Sequence, residues 1–258
     1  MVRGRAARLL LGVILVSGAV AGAVPVLAAE ADRRFDVRLE IGPTWQARNK
    51  VQIPNDDEGS RFSLKDLAGA GPWAGIRAVA RWDINDRHSL RLVLAPLSYT
   101  ERGALEEDVR FAGETFRSGS SVKASYTFNS WRIGYRYKFF DRGPWDLWVG
   151  ATAKVRDAEI RLEQDGTVGT DDDVGFVPLL HLAANYRFND RWSFVADFDG
   201  LAGGPGRAVD VGLRLNYSIN ERFRIGLGYR GLEGGVDTDD VYNFSWFNSL
   251  VFAVGYSF

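Results

Sequence analysis

The chain contains no cysteine, so no disulfide framework can staple it. It has no charge bias either: 32 Lys and Arg stand against 33 Asp and Glu, for a formal net charge of -1. That balance excludes the basic excess that marks a nucleic-acid partner. Past the first thirty residues there is no apolar run approaching the ~20 residues that a membrane-spanning helix needs. What the chain does have is 29 Gly among 258 residues and 13% aromatics.

The one long apolar run lies at the start. Arg3, Arg5 and Arg8 precede an apolar stretch over 9–23, and Val26-Leu27-Ala28 offers small residues for cleavage before Ala29. This predicts a secretory signal peptide over 1–28, hence an exported chain, a short periplasmic N-terminus over 29–34, and a single folded domain over 35–258.

Within that domain the dominant signal is a period of two, the mark of β-strands with one apolar face. The run NFSWFNSLVFAVGYSF at 243–258 shows it most plainly. Leu250, Phe252, Val254, Tyr256 and Phe258 alternate with Ser249, Val251, Ala253, Gly255 and Ser257. The same alternation recurs over 35–45, 73–84, 88–102, 122–140, from Trp145 onward, and over 175–188, 192–200, 208–219 and 223–232. That makes ten strands. Pro96 lacks a donor and is expected at a bulge or the end of a ladder. On the fifth strand the apolar parity slips near Asp157, which a bulge or an exit from the membrane would explain.

The connections alternate in length. INDRH, FDRGPW, FNDRW and INERF are short turns; the others (47–71, 103–121, 164–173, 201–207 and 233–242) read as mostly longer loops, acidic or Gly-rich. Strict alternation of short and long connections predicts an all-β, antiparallel, up-and-down transmembrane β-barrel with short periplasmic turns and long extracellular loops. Aromatics beside the short turns (Trp82, Phe139, Phe140, Trp145, Phe188, Trp192, Tyr217, Phe223, Tyr256 and Phe258) read as the periplasmic girdle. Lipid offers no hydrogen-bond partners, so a sheet in it must close on itself. Several strands exceed the ~9–11 residues needed to cross, so the barrel is expected to project beyond the outer leaflet.

The polar faces then line the lumen. They carry many arginines, Arg38, Arg77, Arg91, Arg132, Arg214 and Arg230 among them, with acids such as Glu40, Asp146, Asp197, Asp199 and Asp210. Ten strands enclose little more than eight, whose interiors side chains just fill, whereas aqueous channels need about 16–18. Paired charges plugging the lumen are therefore expected; the excess of arginine leaves open a narrow anion-leaning pore. The sharpest cluster is His181 with Asp197, Asp199, Asp210, Arg214 and Arg230. The FNDRW turn sets His181 against Asp197 or Asp199, and Asp199 falls beside Asp210 across the next hairpin. At about 3.3 Å per residue and about 40° of tilt, His181 sits roughly 18 Å above the periplasmic edge. A histidine among carboxylates can serve as a general base, so a hydrolase acting on lipid or peptide stands as a further reading beside a structural histidine. No cofactor and no dedicated metal site is implied. The acidic patches at 56–58, 106–108, 171–173 and 237–240 lack calcium-loop spacing; as solvated loops they could at most bridge Ca²⁺ or Mg²⁺ weakly to lipopolysaccharide phosphates.

The signal peptide, the alternating strands and the terminal GYSF together resemble the small outer-membrane barrels of Gram-negative bacteria, the broad OmpA/OmpX-like class. FAGETF, DVGFVPLLH and DFDGLAGGPGR resemble runs in uncharacterised barrels of that kind. The resemblance covers 29–258. It implies residence in the outer membrane, contact with outer-membrane lipid and lipopolysaccharide, and recognition of the strand ending at Phe258 by the barrel-assembly machinery. It carries over no functional residue. The chain departs from the OmpA pattern in showing ten strands rather than eight and no peptidoglycan-binding domain. The leading functional expectation is a non-enzymatic barrel with an envelope or surface role.

Overall fold

The computed structural model describes residues 34–204 and 206–258; the expected signal peptide lies outside the described residues. Ten strands form one closed antiparallel barrel: β1 (Phe35–Gln52), β2 (Trp73–Asp83), β3 in two segments (His88–Ala95 and Ser98–Ala104), β4 (Ser121–Arg142), β5 (Trp145–Gln164), β6 (Thr167–Arg187), β7 (Trp192–Gly203), β8 (Gly206–Ser218), β9 (Phe223–Asp237) and β10 (Tyr242–Ser257). Each strand pairs with its sequence neighbours, and β10 returns to β1 from Asp36↔Ser257 to Gln52↔Tyr242. The Phe258 amide donates to the Phe35 carbonyl at 2.8 Å, so closure reaches the last residue.

The outward face of the lower barrel is apolar throughout. Val37, Leu39 and Ile41 of β1, Leu92 and Leu94 of β3, and Leu250, Phe252 and Val254 of β10 are all exposed. A continuous apolar band of this kind is far larger than a water-soluble surface carries and suits lipid. At its lower rim the aromatics touch one another: Phe35 stacks on Trp82, Trp145 and Phe188 meet the same Tyr186, Trp192 meets Tyr217, and Tyr256 lies between Phe223 and Phe258. The short turns lie beside this ring. Asn85, Asn189 and Asn220 each accept hydrogen bonds from amides two and three residues on, the side-chain turn that fixes such tight reversals.

At Asp157 the structure decides between the two expectations for β5. The β4–β5 and β5–β6 ladders pass through Asp157 without a break, so there is no bulge. The strand keeps its parity while the surroundings exchange. Below Asp157 the outward residues are Val149, Ala151, Ala153 and Val155; above it they are Glu159, Arg161 and Glu163. Inward, Thr152 and Lys154 give way to Ala158, Ile160 and Leu162. The chain leaves lipid here, and above this level the barrel has the ordinary polarity of a water-soluble protein. The bulges that do occur lie at Gln46/Arg48 and Lys138/Phe140.

The outer connections differ from the expected irregular loops. Over 164–173 the β5 and β6 strands continue to a tight turn at Asp165-Gly166, both with positive φ, and the β7–β8 and β9–β10 hairpins likewise extend by strand. Two connections are long. The first, 53–72, carries a short strand (Phe62–Ser63) and helix α1 (Leu64–Ala68), whose first turn is capped by the Ser63 hydroxyl accepting from the Asp66 amide at 3.2 Å. The second, 105–120, holds a small hairpin, Val109–Phe111 with Glu114–Phe116, turned by Ala112-Gly113 at positive φ. Both fold inward. Leu64, Phe111 and Phe116 are fully buried, and they pack with Val51, Tyr99, Val122, Tyr126, Ile160, Leu162 and Phe247 into an apolar core across the mouth of the barrel. The stretch 103–121, read from the sequence as a loop, therefore holds half of a lid, with each buried Phe contributing about 1.5–3 kcal/mol.

Candidate functional site: the ionic belt of the lumen

Below the apolar core the inward side chains are ionic, because the alternation that sends Leu, Val and Phe to lipid sends Arg and Asp inside. They form two levels. Near the periplasmic end, Asp36 accepts from Arg224 and from Ser257 Oγ (2.9 Å), Asp83 from Arg81 (3.1 Å) and Ser89 (2.6 Å), and Asp146 from Arg187 and Asn185.

The central level is deeper and continuous. Asp199 accepts from Arg91 at 2.6 Å, Arg132 at 3.0 Å, Thr152 at 3.0 Å and His181 at 2.9 Å. Arg132 continues to Asp210 at 2.6 Å, and Asp210 also holds Arg77 at 3.0 Å and pairs with Arg230. Arg230 reaches Asp197 at 3.2 Å and Glu40 at 3.4 Å. Glu40 closes the belt with Arg38 and Arg214, both at 2.8 Å. Nine of the ten strands contribute, only β10 standing aside. Charges removed from water in this way are held by pairing with one another.

The structure gathers all six residues singled out from the sequence: His181, Asp197, Asp199, Asp210, Arg214 and Arg230 are buried in this belt. His181 lies directly opposite Asp199, and Asp199 opposite Asp210, in the ladders. The grouping differs from a bare His–Asp cluster, however. Arg214 belongs to Glu40 and Asn216 rather than to His181, and Asp199 and Asp210 each have their own cations, joined through Arg132. A carboxylate with four donors has no free capacity to take a substrate proton, and His181 is 1% exposed beneath the lid. Its Nε2 has no hydrogen-bond partner among the described residues.

Sequence reasoning named Arg91, Arg132, Arg77 and Glu40 only as members of the polar faces; their central place follows from the stagger between strands, which period two does not reveal. It missed Thr152 and Lys154 altogether as functional candidates. Lys154 is 2% exposed, lies over the Phe128 ring at 4.7 Å, and has no carboxylate within salt-bridge distance among the described residues. At the central level, the groups 8% exposed or less are six cations (Arg77, Arg91, Arg132, Lys154, Arg214 and Arg230) and four carboxylates (Glu40, Asp197, Asp199 and Asp210); Asp36 and Asp146, equally buried, lie at the periplasmic level with Arg224 and Arg187. The acidic patches are occupied otherwise: Asp56 caps the Glu58 amide, Asp108 holds Arg117 and the Ser118 amide, Asp173 pairs with Arg156, and Asp237 accepts from Asn55. No group of three or more potential ligands able to hold a metal ion occurs among the described residues.

A closed ten-strand barrel with an apolar exterior, an aromatic rim and an ionic lumen defines an outer-membrane β-barrel protein. The solved structures agree at the level of fold. The chain is similar to the outer membrane protease OmpT from Escherichia coli, with 10% identity and a TM-score of 0.57, over 87% of this chain and 97% of that one. The translocator domain of the autotransporter NalP from Neisseria meningitidis matches at 13% identity and TM-score 0.45 over 87% and 88%, and Ail, the attachment invasion locus protein of Yersinia pestis, at 12% and 0.38 over 87% and 99%. No family model matches the chain, and no curated protein matches it.

Proposed function

We propose that this chain is a non-enzymatic component of the outer membrane, serving envelope integrity or surface interaction, with a lumen sealed against solutes. One observation carries this reading: the interior is filled twice, by the ionic belt at mid-height and by the apolar core above it. Either layer alone would obstruct a ten-strand barrel; together they present a solute first with paired charges and then with a dry core. The saturation of Asp199 and the burial of His181 speak against hydrolysis. In this reading the short turns face the periplasm, the hydrophilic upper barrel stands among lipopolysaccharide head groups, with at most weak Ca²⁺ or Mg²⁺ bridging at its acidic patches, and the β10 strand ending at Phe258 is what the assembly machinery engages.

The test is reconstitution of the purified barrel in planar bilayers. The expected result is a silent membrane across a wide voltage range. Stable anion-selective steps would replace this reading with the narrow channel that the cationic surplus leaves as the alternative. Hydrolysis of a lipid or peptide substrate that disappears in His181→Asn would replace it with the enzymatic one.

A further inference from the structure

The barrel wall has a break in its ladder on the lipid-facing side. The β2–β3 pairing runs from Asp83↔Ser89 up to Ala78↔Leu94 and stops there. Above it the upper segment of β3 pairs only with β4, so residues 73–77 of β2 have no ladder partner on that side. Pro96, which has no amide to donate, interrupts β3 at this level. The flanking outward residues Ile76 and Leu94 are exposed and apolar, and the exterior turns polar only at Ser98. Ile76 lies seven residues above Asp83, roughly 18 Å up an apolar band of about 25 Å. Unpaired backbone at that depth persists where it borders a cavity.

A cavity is there, with a volume of about 80 Å³. Its outer side is made by Ala95, Pro96 and Leu97, with Phe128 and Phe247 above, and its floor by Glu40, Arg77, Arg132, Asp210 and Arg230 of the ionic belt. Higher up, the wall is bridged by side chains alone: Trp73 stacks on Tyr99 with ring centres 3.9 Å apart and donates to Glu101 at 2.8 Å. The electrostatics of the floor are incomplete. Glu40 Oε2 approaches Arg230 Nε at 3.4 Å and Arg77 Nε at 3.8 Å, with a hydrogen bond to neither. Lys154, which packs behind the cavity-lining Phe128 without itself lining the cavity, has no carboxylate within salt-bridge distance among the described residues. A buried ammonium without a counter-charge is costly.

We propose that this cavity is the head-group site of a single-chain amphiphile bearing one carboxylate, a ligand of the fatty-acid class, whose alkyl chain leaves through the gap between β2 and β3 into the surrounding lipid. The floor sets three arginines, Arg77, Arg132 and Arg230, against two carboxylates, Glu40 and Asp210, and so selects an anion. The volume admits a few water-sized groups, hence a three-atom carboxylate with its first methylenes and not a bulkier head. The apolar flank at Pro96 and Leu97 suits a chain, and the break in the ladder gives it a path that crosses neither the belt nor the lid. This lateral site goes beyond the sealed-lumen reading, and a silent bilayer says nothing for or against it.

The experiment follows decanoate, ¹³C-labelled at the carboxyl, binding to the purified barrel in neutral detergent micelles. The expected result is a saturable carboxyl resonance, one per barrel, distinct from that of decanoate in protein-free micelles. Lys154→Gln lowers the affinity tenfold or more, Ala95→Phe at the mouth of the cavity abolishes the resonance, decyltrimethylammonium fails to displace it, and decyl phosphate competes more weakly than unlabelled decanoate. Unsaturable partitioning overturns the proposal. So does affinity unchanged in Ala95→Phe while that variant keeps the heat-modifiable migration of a folded barrel, a criterion that stands even if Lys154→Gln does not fold. Tighter binding of decyl phosphate or of the cation overturns the choice of carboxylate.

Discussion

His181 Nδ1 lies 2.9 Å from Asp199 Oδ1, directly across the β6–β7 ladder. The carboxylate fixes the proton on Nδ1 and orients the ring, but the same carboxylate serves Arg91, Arg132 and Thr152. The two residues are therefore unequal: Asp199 is a hub, and His181 is one of its four spokes. Asp199→Ala strands the buried Arg91 guanidinium and takes one of Arg132's two carboxylates, and is expected to destabilise the barrel by about 3–5 kcal/mol, whereas His181→Asn costs about 1–3 kcal/mol, the range for one hydrogen-bonded group. Urea unfolding in detergent, followed by loss of heat-modifiable migration, ranks them; a histidine variant as damaging as the aspartate variant would contradict the hub.

The lid rests on Phe111 and Phe116, both fully buried in an inward-folded hairpin, Phe111 beside its turn and Phe116 opposite Val109. Replacing either with Ala is expected to cost about 3–5 kcal/mol locally, without dissolving the membrane-spanning ladders below. Limited proteolysis of intact cells should then cut within 105–120 in the variant and spare the wild type.

Helix α1 is held against the wall by close backbone approach. A Cβ at Gly103 would collide with the Leu67 carbonyl. Gly103→Val is therefore expected to displace α1, at about 1–3 kcal/mol, and to expose 53–72 to the same proteases while the β4–β5 hairpin stays protected.

Two tyrosines of the lid report on its dryness. Burial pushes Tyr126 up to about 12, and burial followed by the neighbouring Tyr126 drives Tyr99 higher still. Burial here favours the neutral phenol, so the stability it lends is fully present below pH 10, the ordinary value, and is lost as pH rises through about 12. A tyrosinate absorbance titration should show two of the nine tyrosines ionising last, together with opening of the lid, and Phe116→Ala should bring both down towards the ordinary value.

Much of this was legible along the chain. Period two over ten segments fixes strands, faces and their number; Asn-containing tight turns fix which end is short; aromatics such as Trp82, Trp192 and Tyr256 fix the rim. These are local signals, because a strand's alternation and a turn's geometry are set by residues adjacent in sequence. The six lumen residues were legible for the same reason, since parity alone turns His181 and Asp197 inward.

Two things needed the closed barrel. Which cation meets which carboxylate depends on the stagger between strands, so Arg132 bridging Asp199 to Asp210, and Lys154 left without an anion, appear only in three dimensions. The exchange of polarity at Asp157 is also tertiary: Ile160 and Leu162 keep the inward parity of Lys154, and what changes is the medium outside, lipid below and water above. Hydrophobicity read along one strand cannot tell a residue facing lipid from one facing a dry core, since both remove the same side chain from water.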